Sequence, residues 1–238
     1  MFSENYLYLW LDILSISLPL IYSFYSAAPF YKRWKHLWIA IAIPAAFFIV
    51  WDEWFTQMGV WGFNPRYLSG IYIGSLPIEE ILFFICIPYA CVFTYHAMNY
   101  LVKKDWFGPY AKSISWVLII MLMTVGVLNI TKWYTGVTFI LLAVYLLVLQ
   151  FVIKPAYLGR FYFAYFFILI PFFIVNGILT GSFIDEQVVW YNDSVNLGIR
   201  MGTIPFEDTF YGMLLILMNV SILEWLEKRK PIAASDGH

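Results

Sequence analysis

The sequence predicts an all-α polytopic membrane protein of seven transmembrane helices, arranged as two parallel three-helix repeats joined by a linking helix. Three observations point there. Of 238 residues, 62% are hydrophobic and only 12% are charged, whereas a soluble domain carries roughly a quarter charged residues. Too few charges remain to cover a water-facing surface. The apolar stretches are continuous rather than alternating, which marks helices and not a barrel. Two short acidic motifs, Pro77-Ile78-Glu79-Glu80 and Pro205-Phe206-Glu207-Asp208, each open an apolar run. Their offset is constant, since 207 − 79 and 208 − 80 both equal 128.

A span takes about twenty predominantly apolar residues. Seven runs qualify, at about 6–26, 37–55, 78–100, 114–130, 135–153, 160–179 and 206–226. Pro19, Pro44 and Pro171 fall inside spans and are expected to kink them. Ser26-Ala27-Ala28 resembles a signal cleavage site, but no cation precedes the first run, so that run is read as a helix. Two connections are long, 56–77 and 180–205. Basic residues orient the bundle. Lys32, Arg33, Lys35, Lys103, Lys104, Lys112, Lys154, Arg160, Lys228, Arg229 and Lys230 fall on one side, against Arg66, Lys132 and Arg200 on the other. This bias places the N-terminus outside and the C-terminus in the cytoplasm of a multi-pass protein of the cell (inner) membrane. Both long connections and both acid pairs then lie at the outer face.

The offset of 128 extends beyond the acids. Gly70 matches Gly198, Ile71 matches Ile199, Gly74 matches Gly202, and with one gap Val60-Trp61 matches Val189-Trp190. Further upstream, Phe48-Ile49-Val50 resembles Phe173-Ile174-Val175. The expected division is a first repeat over 1–113, a linking helix over 114–132, a second repeat over 133–230 and a disordered tail over 231–238. One intervening span restores the direction of the copy, so the repeats run parallel and both acid pairs reach the same face.

A carboxylate at a membrane boundary is costly unless something holds it there. Helix capping alone accounts for one such motif, because proline suits the first helical position and acids favour the first turn. Two copies at matched positions favour Glu79, Glu80, Glu207 and Asp208 as an acid–base set on an apolar substrate. Adjacent carboxyls divide into a protonated and an ionised member, which suits donor and acceptor roles. Phe83, Phe84, Phe210 and Tyr211 lie one turn below the acids, and Trp61, Tyr72, Trp190 and Tyr191 belong to the outer connections. These rings fit an interfacial belt or a π-lined pocket that steadies a cation. Asp52 and Asn176 are placed to orient the acids. His96 and Glu224, also 128 apart, lie at the opposite ends of their helices and are read as structural. Cys86 and Cys91 are five apart in one run and face different ways, so no disulfide or metal pair is expected. Net charge of −1 gives no footprint for nucleic acid, and neither a dinucleotide fingerprint nor metal-ligand spacing is visible. A small proton-coupled transporter is the alternative reading, which would need an aqueous path between both faces.

At these residues the chain resembles the membrane-embedded lycopene β-cyclases of the carotenoid cyclase family, the heterodimeric type here fused into one chain. The stretches that carry the resemblance are Trp61 through Leu68-Ser69-Gly70, Leu76 through Phe84, Asn176-Gly177-Ile178-Leu179-Thr180-Gly181, and Ile204 through Tyr211. His96 departs from it, since a Glu is expected there by analogy with Glu224. The resemblance implies cofactor-free cyclisation of the linear end groups of lycopene and other linear carotenoids, by the paired acids, within the lipid bilayer. Glu79 or Glu207 is the expected acid, with Glu80 or Asp208 as its proton partner. Association with other carotenoid-pathway enzymes or with a second copy is compatible with it.

Overall fold

The computed structural model describes residues 4–228; Arg229, Lys230 and the tail 231–238 lie outside the described residues. The described chain is almost wholly helical. Its α-helices are α1 (Leu7–Tyr22), α2 (Trp34–Gln57), α3 (Ile78–Leu101), α4 (Ala111–Leu128), α5 (Trp133–Val148, extended by a π-turn over Leu149–Ile153), α6 (Leu158–Leu179) and α7 (Phe206–Lys228). From α2 to α7, six are long and apolar enough to cross a membrane. The first falls short of its expected bounds of 6–26. At 16 residues it reaches about 24 Å at 1.5 Å per residue, less than the roughly 30 Å of a bilayer core. It stops at Tyr22 because the chain turns through Ser23–Ala28 before Pro29, and a residue preceding proline disfavours helix. Pro19, Pro44 and Pro171 sit inside helices as expected, and Pro88 in α3 adds a fourth.

The surface has a character that water would not tolerate. Leu14, Leu18, Val50, Val117, Ile120, Leu128 and Ile170 are all exposed, far beyond the scattered apolar residues of a soluble monomer. Several hydroxyls inside the helices are satisfied locally. Ser15, Thr94, Ser115 and Ser221 each donate to the carbonyl four residues back, as apolar surroundings demand.

Within the bundle α1 lies on α3, α2 lies on α7 and α3, α5 is held between α4 and α7, and α6 leans on α3. The most enclosed span is α7 and the least is α4, which packs at the periphery against α5. Aromatic side chains fill the space between α2, α3, α5 and α7. Phe48 meets Phe84 at 6.1 Å and Tyr211 at 5.0 Å between ring centres, and Phe139 meets Phe210 at 5.0 Å.

The two long connections are folded alike. Each holds a strand, a 3-10 turn capped by an asparagine side chain, and a two-residue hairpin that runs straight into a helix. In the first these are β1 (Trp61–Phe63), the turn Pro65–Tyr67 capped by Asn64, β2 (Tyr72–Ile73) and β3 (Leu76–Pro77). In the second they are β4 (Val189–Tyr191), the turn Asp193–Val195 capped by Asn192, β5 (Arg200–Met201) and β6 (Ile204–Pro205). Gly74 and Gly202 take φ of +66° and +67° at the hairpin tips, where a side chain would be strained. The connections also pair with each other. The antiparallel ladder of β1 and β4 sets Trp61 opposite Tyr191 and Gly62 opposite Trp190.

Candidate active site

Successive helical residues point about 100° apart, so the members of each acid pair cannot face the same way. Glu79 and Glu207 turn toward the connections. The Glu79 carboxylate accepts the backbone N–H of Ser69 at 2.7 Å. Glu207 accepts the backbone N–H of Leu197 at 2.8 Å and the Thr135 hydroxyl at 2.6 Å. Both are fully buried. They clamp the loop that precedes their own helix.

Glu80 and Asp208 turn the other way, into a cavity of about 530 Å³ walled by α1, α3, α6 and α7. Asp52, from the end of α2, joins them there. Each carboxyl has an aromatic donor. Tyr8 donates to Glu80 at 2.5 Å, Tyr134 donates to Asp208 at 2.5 Å, and Tyr191 donates to Asp208 at 3.0 Å. The indole N–H of Trp61 donates to Asp52. Burial pushes the Tyr191 phenol well up from its ordinary value, with Asp208 adding to the effect, so it stays a donor. Oδ2 of Asp52 has no hydrogen-bond partner, and its carboxyl shares the cavity wall with that of Glu80. Tyr211 also lines the cavity, and its ring packs 5.0 Å from Trp51 and 6.1 Å from Trp61.

Among the expected site residues, Asp52, Trp61, Glu80, Phe83, Asn176, Asp208 and Tyr211 therefore meet at one cavity. The structure does not bring Glu79, Tyr72, Phe84, Trp190, Glu207 or Phe210 to its wall. Tyr72 is exposed on its hairpin, and Trp190 lies exposed across the β-ladder on Gly62, whose missing side chain makes room for the indole. Phe84 and Phe210 are buried on the far side of α3 and α7, in the ring-filled core. His96 and Glu224 lie at the other end of the bundle. There Arg33 pairs with Glu227 at 2.5 Å and Glu224 at 3.6 Å, while its Nη1 contacts His96 at 3.3 Å. Sixteen residues of helix, about 24 Å, separate His96 from Glu80.

Tyr8 and Tyr134 were not anticipated. Each stands near the start of its helix, Tyr8 on α1 and Tyr134 on α5, two residues off the 128 spacing, and a gap of two in that offset finds them. Thr135 and Asp12 were also missed. Asp12 is a buried carboxyl on α1 with both oxygens lacking a hydrogen-bond partner, and it stands alone in its apolar run, which is its signal.

The fold and the cavity together define a helical membrane protein with a buried group of carboxyls and phenols at one end of an apolar cavity. The chain belongs to the lycopene cyclase family, whose profile matches residues 5–98 and 131–226. A segment of 63 residues is 38% identical to the bifunctional lycopene cyclase/phytoene synthase of Phycomyces blakesleeanus. That segment is 26% of this chain and 10% of the fungal protein. No solved structure matches the chain.

Proposed function

We propose that the protein is a lycopene β-cyclase, an isomerase without cofactor that closes the linear ends of lycopene into β-rings, giving γ-carotene and then β-carotene. The observation that carries this reading is the meeting of Asp52, Glu80 and Asp208, each with an aromatic hydrogen-bond donor, at one end of an apolar cavity. Of Asp52 and Glu80, which share the cavity wall, one keeps its proton and serves as the donor. Asp208, which accepts from two phenols, acts in the form suited to accept, the carboxylate. The donor protonates C2 of the end group and leaves a tertiary cation at C1. The C5–C6 double bond attacks, C1 and C6 join, and the charge moves to C5. Asp208 takes the C6 proton and the new double bond forms between C5 and C6, so no electron enters or leaves. Trp61, Phe83 and Tyr211 line the cavity and supply π density to steady the cation, and the apolar wall keeps water from trapping it. Glu79 and Glu207, the acids first expected, are assigned instead to holding the connections, with Asn176 as a polar contact at the cavity wall.

The same proposal includes seven spans, with α1 crossing as a short, kinked helix, and a duplicated unit. It divides the chain into repeats over 1–113 and 133–230 about the linking helix 114–132. Support comes from the two hairpins of identical register and from the family match, which falls in two blocks on either side of α4. Orientation follows the basic residues, with the acid end outside the inner membrane. Lycopene-producing cells expressing the chain should turn from red to orange, with cyclic pigments resolved by chromatography. Glu80→Gln and Asp208→Asn should each lose about 10²-fold or more of that activity. Full activity in both would overturn the assignment.

A further inference from the structure

The cavity has a mouth, and its position is readable from exposure. Among the residues that wall it, those that are exposed lie on only two helices, Leu14 and Leu18 on α1, Pro171 and Ile174 on α6. The first two are 62% and 63% exposed and Ile174 is 61% exposed. All four are apolar, and α1 and α6 scarcely touch. The opening is thus a lateral slit on the lipid-facing flank of the bundle. Its depth is matched on both sides. Leu14 lies six residues from Tyr8 and Ile174 lies six residues from Thr180, about 9 Å of helix in each case.

The length of the cavity fixes how a long molecule sits. Along α3 the wall runs from Glu80 to Thr94, fourteen residues or about 21 Å. A linear carotenoid is about as long as the bilayer core is thick, roughly 30 Å, and does not fit whole.

We propose that the slit between α1 and α6 is the entry for one acyclic end of a linear polyene, which passes between Leu14 and Ile174 from the lipid while its remaining length stays outside the protein. This rests on the cyclase reading for its substrate. The enzyme then reads only the end it holds. A polyene already carrying a ring or a polar group at its far end is an equally good substrate, and the two ends are closed in separate encounters.

The test narrows the slit from its lipid side. Leu14→Trp/Ile174→Trp keeps large apolar residues at exposed positions, and Ile120→Trp/Val127→Trp on the exposed face of α4 is its control. The initial rate of lycopene cyclisation and the lycopene retained by purified protein are measured together, with thermal melting to verify folding. The slit variant should lose about tenfold or more in both, and the control should lose neither. A slit variant within about twofold of the unsubstituted protein on both counts overturns the proposal. If the double variant fails to fold, Leu14→Phe and Ile174→Phe singly are read in the same way. If unsubstituted protein retains lycopene but forms no ring, the cyclase reading fails, and the slit is decided by retention alone. If it neither retains nor cyclises lycopene, both fall.

Discussion

Two neighbouring carboxyls in each motif do different things, and the helix geometry separates them. Glu80 and Asp208 enter the cavity beside Asp52, whereas Glu79 and Glu207 bond loop amides. The phenols hold the two cavity carboxyls by hydrogen bonds. Tyr8→Phe and Tyr134→Phe each remove a hydrogen bond to a buried carboxyl, worth about 1.5–3 kcal/mol when the acceptor is charged. Cyclisation by either variant should fall about tenfold or more with lycopene retention unchanged, measured on purified protein. That the acids are buried at matched positions was legible in the repeated Pro-x-Glu-Glu/Asp pattern. Which member of each pair faces the cavity was not, because it depends on where α1 and α5 lie around α3 and α7. Tyr8 supplies the contrast: one aromatic among many in an apolar run carries no mark of its role until the two halves are laid over each other.

At the scale of elements, the hairpins and their clamping glutamates form a unit. Glu79→Gln and Glu207→Gln keep the size of the side chain but weaken the bond to the Ser69 or Leu197 amide. Each should lower stability by about 1–3 kcal/mol, seen as a lower melting temperature and faster amide exchange across residues 68–76 or 196–204. A smaller loss of cyclisation than for Glu80→Gln should accompany it. The helices themselves were readable because a continuous apolar run of about twenty residues has few other uses. The bounds of α1 were misjudged because its tail, Ser23 to Ala28, is apolar enough to continue a span yet turns back before Pro29. The β1–β4 ladder left no trace in local pattern, since three-residue strands paired across 126 to 130 positions are specified by packing alone.

For the molecule as a whole, the cavity that gathers Asp52, Glu80 and Asp208 predicts, under the proposed function, the order of products. In a time course on lycopene, monocyclic γ-carotene should accumulate before β-carotene appears, because the first product must leave and return by its other end. Simultaneous appearance of both rings from the earliest point counts against one cavity per chain.

The aromatic packing between α2, α3, α5 and α7 has a consequence of its own. Under the proposed duplication, the walls α1, α3, α6 and α7 of the cavity correspond to α5, α7, α2 and α3 around this region, which Phe48, Phe84, Phe139 and Phe210 fill. A second chamber should therefore be recoverable. Phe139→Ala should cost about 3–5 kcal/mol and leave a dry void that takes up xenon or benzene.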